Sequence, residues 1–311
     1  MADETGDRDA SISEPRISAC VVCRNEADKL AACLASLAWV DEIVVMDLDS
    51  NDGSAELAAS FGAIVIRRAA VPIVELVRND VAEHASGEWI LVLDPDERLS
   101  AGLEPALRAA AKDDGCDAVI VPRTNFDLGY PPSHWTQRYE PQLRLYRRSA
   151  VSWPSTPNTL PEVPESRTRR LPARDDLVIL HQRSRNIGEV LDRSIRYAPV
   201  QAQSMLDAGE QFTAAKMFKA LWREADSKLI EPRAWRDGIP GLFRAGILIS
   251  FKFHVWVELW QRSGARRTPA DDRLSRTLGL PLDALRFTLH VARPVCSAVR
   301  KGTGRPRRTT T

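Results

Sequence analysis

Residues 78–97, with the sequence R-N-D-V-A-E-H-A-S-G-E-W-I-L-V-L-D-P-D-E, place three carboxylates at the end of a short apolar run. Residues 89–93 predict a buried strand, because four to eight apolar residues bounded by turn signals are typical of one. Gly87 is expected to let the chain leave the preceding helix through a left-handed conformation. The side chains of Asp94, Asp96 and Glu97 are therefore predicted to lie where the strand ends.

Acidic side chains in that position predict a cation site. In open α/β sheets, ligands bind beyond the carboxyl ends of the strands. Carboxylates that meet there repel each other unless a positive group lies among them, and hard oxygen ligands suit Mg²⁺ or Mn²⁺. The pattern favours a metal that holds a diphosphate. An acidic turn that caps the next helix is the plainer alternative.

The stretch resembles the S-G-D-W-I-L-x-L-D-A-D-E block of inverting family 2 glycosyltransferases, and above all the branch related to lipopolysaccharide-core β-glucosyltransferases. The likeness lies in Asn79 and in residues 86–90 and 94–97. The resemblance implies a GT-A fold and a D-x-D motif, Asp94 to Asp96, that holds Mg²⁺ or Mn²⁺ against the diphosphate of a nucleotide sugar. A UDP-sugar is the expected donor.

Two further motifs stand in the order of that family. Asn25 and Glu26 follow the first predicted strand and match an N-E signature, where the strand meets the nucleobase. Asp47 and Asp52 follow the second strand and match the acidic positions of V-D-S-x-S-x-D-G-T. The resemblance implies that Asp47 contacts the nucleoside and that Asp52 shapes the loop. By themselves, Asn25 and Glu26 fit equally well a helix N-terminus with an early glutamate.

The strand that ends at Asp47 also resembles the first motif of haloacid-dehalogenase-type phosphatases. In that family Asp47 would be the nucleophile and Asp49 the acid or base. The phosphatase motif expects Thr or Val at the position of Asn51, and it usually lies on the first strand, whereas here another strand precedes it. A third hypothesis is a glycosyltransferase-like scaffold that binds a nucleotide or partners without turnover.

Arg78 and His181 are further candidate ligands. Arg78 and Asn79 fall near the donor site in the family, where a cation offsets diphosphate charge. An exposed helix arginine is the alternative for Arg78. His181 follows a late strand, and it is either a hydrogen-bonded structural histidine or a ligand of the cation, as in some related folds.

The His-Glu pair that usually supplies the catalytic base in the family has no direct counterpart in this sequence. Inverting transfer needs a carboxylate to take the proton from the attacking acceptor hydroxyl. Family members commonly supply it in a His-Glu pair after a tryptophan like Trp153, and no such pair follows Trp153 here. Glu162 is the nearest carboxylate and is our candidate. The aromatic-rich residues 123–139 are assigned to the acceptor side, for a glycan or lipid-linked acceptor in cell-envelope glycan synthesis.

Strands and helices alternate up to about residue 121, which predicts a mostly parallel sheet with helices on both faces. The sequence has neither G-x-G-x-x-G nor a P-loop motif, so the dinucleotide and P-loop classes lack their phosphate loops. We expect an α/β, GT-A-like fold with a helical C-terminal extension. The expected parts are a disordered leader (1–15), a nucleotide-sugar-binding catalytic domain (16–185), a helical region (186–299) and a basic disordered tail (300–311).

The net charge of the chain does not identify a binding partner, whereas its cysteine content indicates a cellular compartment. Lys and Arg number 43 against 42 Asp and Glu, so the net charge of +1 names no partner. The basic tail lacks aromatic residues, which argues against a nucleic-acid module. Five cysteines with no recognisable secretory leader indicate a reducing compartment, the cytoplasm.

The last third of the chain suggests contact with a membrane surface. Residues 242–260 predict a long amphipathic helix that suits the lipid interface, and a core helix packed on protein is the open alternative. A second amphipathic helix through Leu282, Leu285 and Leu289, together with the basic tail, favours the inner face of the cytoplasmic membrane.

Overall fold

The structure is a computed structural model, and it describes residues 14–132, 138–154 and 161–264. The chain divides into two compact units, here called the sheet unit (residues 1–191 and 228–246) and the helical unit (residues 192–227 and 247–311). The start of the predicted leader, the predicted helix through Leu282 and the basic tail lie outside the described residues.

One mixed sheet forms the centre of the sheet unit, and within the described residues it has nine strands. They are β1 (Ile17–Cys23), β2 (Glu42–Asp47), β3 (Ile64–Arg67), β4 (Trp89–Leu93), β5 (Glu97–Leu99), β6 (Ala118–Asp127), β7 (Glu140–Arg147), β8 (Thr168–Arg170) and β9 (Ile179–Ser184). Their order is β3-β2-β1-β4-β7-β6-β9-β5, and β8 pairs with β6. The first four strands in this order are parallel, whereas β7 is antiparallel to both β4 and β6.

Helices cover both faces of the parallel part of the sheet. The helices are α1 (Ala27–Ala35), α2 (Ser54–Ser60), α3 (Arg78–Glu83), α4 (Leu103–Ala111), α5 (Ile187–Asp207), α6 (Ala214–Ala225) and α7 (Gly238–Arg262). Residues of α1, α2 and α4 pack on one face with Val21 and Leu91, and α3 packs on the other with Cys20 and Val92. The predicted α/β architecture with a helical C-terminal part is confirmed. Residues 123–127, predicted as loop, instead continue β6 because β7 and β9 flank it.

The strand register brings the acidic loops to one edge of the sheet. Val21 of β1 is aligned with Val45 of β2 and with Leu93 of β4. The loops that begin at Asp47 and Asp94 therefore leave the sheet at the same edge, on either side of β1. At the usual strand spacing their Cα atoms are about 10 Å apart.

Gly87 acts through its size and not through its backbone angle. Its φ does not lie in the left-handed region, so that part of the sequence prediction is wrong. A Cβ atom at this position would lie 2.6 Å from Oγ and 2.8 Å from the backbone nitrogen of Ser18. Its N–H donates to Ser18 Oγ at 2.8 Å. The glycine thus allows the start of β4 to approach β1.

A buried ion cluster ties residues 228–246 into the sheet unit. The guanidinium of Arg244 lies 3.3 Å from a carboxylate oxygen of Asp127 and 3.3 Å from one of Asp237. It also donates to the carbonyl of Tyr130 at 3.0 Å. The side chains of Arg244, Asp127 and Asp237 are at most 3% exposed. A buried charge is tolerated only with such partners, which explains why this arginine lies within an apolar helix.

The helical unit has its own small core. Trp256 and Leu259 of α7 pack with Ala202 of α5, and Met217 of α6 packs against them. The apolar face predicted for residues 242–260 is therefore divided, since Trp256 is 4% exposed and Phe253 is 44% exposed. Among the described helices, none has an apolar stretch sufficient to cross a membrane.

Candidate functional site

The loops after β1 and β2 are interlocked by hydrogen bonds. The backbone N–H of Asn25 donates to Ser50 Oγ at 2.9 Å, and the N–H of Asn51 donates back to Asn25 Oδ1 at 2.8 Å. Asp52 accepts from the N–H of Ala27, the first residue of α1, at 3.0 Å. Asp52 thus shapes this loop and caps α1, while Asn25 fastens one loop to the other.

Asp47 is buried at the centre of these loops. The residue is 1% exposed, and Oδ2 accepts from the backbone N–H of Ser50 at 3.2 Å. The Cys23 thiol lies 3.8 Å from Oδ1. Burial and then the Asp47 charge raise the pKa of Cys23 to about 12, so the thiol keeps its proton. In this arrangement Asp47 holds the loop from inside.

Two residues of these loops have left-handed backbones. Asn25 has a φ of 53° and Asp49 a φ of 58°. Asn and Asp tolerate this region better than other side chains. Asp49 is exposed, so an aspartate at this position meets the backbone requirement of the turn and leaves its carboxylate in solvent.

Two arginines hold Asp94 from opposite elements. Arg78 of α3 lies 3.2 Å from Oδ1, and Arg144 of β7 lies 3.2 Å from Oδ2. Burial raises the pKa of Asp94, but Arg78 and Arg144 together lower it by more, so the carboxylate stays ionised well below its usual range. The Arg78 guanidinium also lies over the Trp153 ring, 5.0 Å from its centroid.

Glu97 links the backbone of Asp94 to two arginines. Its side chain is fully buried, and Oε1 accepts from Arg144 at 2.5 Å and from Arg123 at 2.8 Å. Its other oxygen accepts from the backbone N–H of Asp94 at 3.1 Å. Charge-assisted bonds of this kind fix the shape of a turn. Glu97 therefore sets the position of the Asp94–Asp96 segment.

Asp96 faces an imidazole whose tautomer is fixed by a hydrogen-bonded chain. His181 Nε2 lies 3.3 Å from Asp96 Oδ2, and His181 Nδ1 lies 2.7 Å from Asn125 Oδ1. The Asn125 amide nitrogen donates to Glu140 Oε2 at 3.1 Å. Burial raises the pKa of Glu140, but the charge and hydrogen bond of Arg123 lower it by more, so the Glu140 carboxylate is ionised and can only accept hydrogen bonds. The NH₂ group of Asn125 therefore faces Glu140, and its oxygen faces the His181 ring. His181 Nδ1 consequently carries a proton.

The remaining ring nitrogen then has two possible states. His181 Nε2 either carries a second proton or presents a lone pair toward the Asp96 carboxylate. Burial raises the pKa of Asp96, and the charge and hydrogen bond of His181 lower it to below the ordinary value. A cation between a carboxylate oxygen and a neutral imidazole nitrogen would satisfy both acceptors. Metal-bound histidines typically donate their other N–H to an oxygen, as His181 does to Asn125.

This donor set fits a divalent cation that is also held by a ligand. Because the Asp94 carboxylate is paired with Arg78 and Arg144, a cation here would be coordinated by Asp96 and His181. Across the described ranges, no cluster of three or more Asp, Glu, His or Cys side chains is arranged for a metal. Two protein ligands with an open remainder are usual where substrate phosphates complete the coordination. An imidazole ligand favours Mn²⁺ over Mg²⁺.

A cavity of about 130 Å³ opens beside this pair. Asp96, Lys29, Cys33, Phe126 and Gln182 contribute to its wall. Burial raises the pKa of Cys33 well above its ordinary value, and the charge of Glu97 adds to the effect. This thiol is therefore a neutral wall residue.

The other predicted site residues are dispersed. Asn79 forms two reciprocal 2.8 Å bonds with the backbone of Trp153, so its amide holds that segment. Glu26 lies just before α1, and its carbonyl accepts from Leu30 at 2.9 Å, as the helix-terminus alternative expects. Glu162 is exposed, beside Val163, which packs on the same apolar cluster as Trp153. Residues 155–160 and the aromatic residues His134 and Trp135 lie outside the described residues.

Sequence reasoning did not identify the residues that support the site. They are Arg144, Arg123, Asn125 and Glu140, and Glu97 was seen only as part of the acidic cluster. One sequence feature could have pointed to them: Arg144 lies between Leu143 and Leu145 in a buried strand. A charge in such a position requires an opposite charge nearby.

About half of the chain, in its N-terminal part, matches a known protein family. Residues 18–171 match the family model described as Glycosyl transferase family 2. The lipopolysaccharide core biosynthesis glycosyltransferase LpsC of Rhizobium meliloti is 27% identical over 283 residues, which cover 83% of this chain and 97% of LpsC. A TPR repeat-containing protein of Synechococcus elongatus is 33% identical over 133 residues, 42% of this chain, and the match spans only 32% of that protein.

Among solved structures, this chain is similar to the mannosyltransferase PcManGT from Pyrobaculum calidifontis, determined in complex with GDP-Man and Mn²⁺. The TM-score is 0.45 at 18% identity, over 93% of this chain and 87% of the other.

Proposed function

We propose that the chain moves a sugar from a nucleotide-sugar donor to an acceptor hydroxyl with the aid of a divalent cation, since residues 18–171 match the Glycosyl transferase family 2 model. The supporting observation is the 3.3 Å approach of His181 Nε2 to Asp96, with Nδ1 committed to Asn125. With Nδ1 protonated, a neutral imidazole would present its Nε2 lone pair to the point that the Asp96 carboxylate oxygen also faces.

Asp96 and His181 would hold the cation, and Mn²⁺ is preferred to Mg²⁺ because of the imidazole ligand. When bound, the cation stabilises the negative charge that develops on the leaving nucleoside diphosphate. Asp94 has a different role in this proposal. It orients Arg78 and Arg144 and carries no coordination bond of its own.

Arg78 is the proposed donor for the diphosphate. Its Nε atom is buried and has no hydrogen-bond partner among the described residues, although the rest of the guanidinium is fixed by Asp94 and Trp153. The part of the Arg78 side chain that stays accessible, 11% of its surface, could donate to a phosphate oxygen. Asp47 acts indirectly, by holding the loop of residues 48–53 against the loop after β1 as a floor for the nucleoside.

The transfer is proposed to invert the anomeric centre. The acceptor oxygen attacks the anomeric carbon as the bond to the diphosphate breaks, and a carboxylate takes the acceptor proton. Glu162 is the proposed base. It is exposed and follows the Trp153 segment, which Asn79 anchors to the same α3 that carries Arg78.

A UDP-sugar is the proposed donor and an envelope glycan or lipid-linked saccharide the proposed acceptor. The name of LpsC, which aligns with most of this chain, supports a cell-envelope role. We place the protein in the cytoplasm, at the inner face of the membrane where such acceptors are assembled.

The test is a panel of nucleotide sugars assayed for nucleoside diphosphate release, with Mn²⁺ and with chelator. Metal-dependent release that falls at least about a hundredfold in Asp96→Asn supports transfer. Donor binding without release in the presence of envelope lipid extract would instead identify a scaffold. Phosphoester hydrolysis that survives Asp96→Asn but not Asp47→Asn would identify a phosphatase. The burial of Asp47 argues against the phosphatase, because a nucleophile must reach its substrate.

A further inference from the structure

Helix α6 of the helical unit has two faces of different character. Met217 and Ala220 pack toward the small core with Trp256. Phe218 and Trp222, one turn apart, project from the opposite side and are 42% and 67% exposed. At 100° per residue the two aromatic side chains are 40° apart around the helix axis. They form one continuous apolar patch on the surface.

Cations border this patch on one side. Lys219 and Arg223 are exposed and follow Phe218 and Trp222 around the helix. Glu224 is the helix's single carboxylate, and it lies on the arc of Met217 and Ala220. The outward half of α6 therefore combines aromatic side chains with positive charge and carries no negative charge.

We propose that α6 docks on an anionic lipid surface through Phe218 and Trp222, with Lys219 and Arg223 on the headgroups. This proposal rests on the membrane location proposed above, but not on sugar transfer. Aromatic side chains enter the boundary between headgroups and acyl chains, and long cationic side chains reach outward from it. The proposal thus adds α6 to the lipid contact expected of α7, whose Trp256 packs in the core of the helical unit while its Phe253 is exposed.

The charge pattern also distinguishes lipid from a second copy of the chain. A two-fold contact through this face would use the same patch on both copies, because such interfaces are isologous. It would gather Lys219 and Arg223 of each copy at one interface, with no carboxylate from the outward half of α6 to pair with them. Protein interfaces are depleted in lysine, whereas anionic headgroups attract it. The face therefore suits phosphate-bearing lipid better than itself.

The experiment measures co-sedimentation of the full-length protein with vesicles of phosphatidylglycerol and phosphatidylcholine, and with phosphatidylcholine alone. We expect Phe218→Ser/Trp222→Ser to weaken binding to the anionic vesicles at least about tenfold. Lys219→Gln/Arg223→Gln should weaken it about thirtyfold and remove the preference for anionic lipid. The control is Phe61→Ser/Ile64→Thr, which removes two side chains of the sheet unit that are 40% and 46% exposed. It should bind like the wild type.

A second readout locates the helix in the bilayer. Brominated acyl chains should quench part of the tryptophan fluorescence, and Trp222→Phe should remove that part while the vesicle affinity is kept. Wild-type binding by both α6 double variants would overturn the proposal and leave the membrane location to another part of the chain. Loss of self-association in those variants, with vesicle binding unchanged, would show that α6 contacts a second copy. Unchanged quenching in Trp222→Phe would equally contradict the proposal that α6 enters the bilayer.

Discussion

His181 Nε2 lies 3.3 Å from Asp96 Oδ2, while Asn125 fixes the opposite nitrogen of the same ring. The pair joins β9 to the turn after β4, and the two residues, at positions 96 and 181, are 85 positions apart in the chain. Neither side chain alone would distinguish a structural contact from a cation site. The hydrogen bonds of Asn125 and Glu140 place the proton of a neutral ring on Nδ1, which is the tautomer that the proposed cation site requires.

Asn125→Ala should lower the affinity for Mn²⁺ about 10- to 100-fold, since the ring would lose the partner that orients it. Isothermal titration with Mn²⁺ and a nucleoside diphosphate measures this directly. Asn186→Ala, which alters an exposed amide at the start of α5, should leave the affinity unchanged. An equal affinity in Asn125→Ala and wild type would refute the assigned tautomer.

Arg144→Met should lower the free energy of unfolding by about 3–5 kcal/mol, because it leaves the buried Glu97 carboxylate with only Arg123. Urea denaturation provides the measurement. Arg67→Met breaks an ion pair whose two side chains are 67% and 70% exposed, and it should cost less than about 1 kcal/mol. Comparable losses in the two variants would mean that the Glu97 network is not a buried ion cluster.

Asn79→Ala should destabilise the protein by about 1–3 kcal/mol, because two hydrogen bonds to the Trp153 backbone are lost. Thermal unfolding and the KM for the donor are to be measured together. The site geometry predicts a lower Tm with a moderate change in KM, as Arg78 loses its stacking partner. A large rise in KM at an unchanged Tm would assign Asn79 to the donor itself, as the resemblance implies.

Asp94 should contribute to acid sensitivity. Its pKa is depressed in the folded state, so its ion pairs stabilise the protein above the unfolded-state value near 3.9, and this stabilisation is lost as the pH falls through the folded-state value. Stability measured from pH 6 downward should therefore fall less steeply below about pH 4 in Asp94→Asn than in wild type. Asp207→Asn, at an exposed position of α5, should keep the wild-type slope. Identical slopes in all three proteins would contradict the Asp94 assignment.

The sequence could predict the strand ends but not the contacts made between them. Apolar runs followed by Asp47 and Asp94 located two loops at one sheet edge, because parallel strands align their carboxyl ends. The roles of individual side chains depended on distant strands. Arg144 comes 50 residues after Asp94, and no local pattern reports which buried charges will meet. The same limit applies to Asn79, whose two hydrogen bonds to the Trp153 backbone join residues that are 74 positions apart.

The close contact between Gly87 and Ser18 restricts which residue types position 87 can hold. Even a single methyl group there would meet Ser18 and wedge β4 away from β1. The two acidic loops leave from strands on either side of that seam, so such a wedge would widen the distance between them. Gly87→Ala should therefore impair the proposed cation site, although position 87 lies at the opposite end of β4 and neither Asp96 nor His181 is changed.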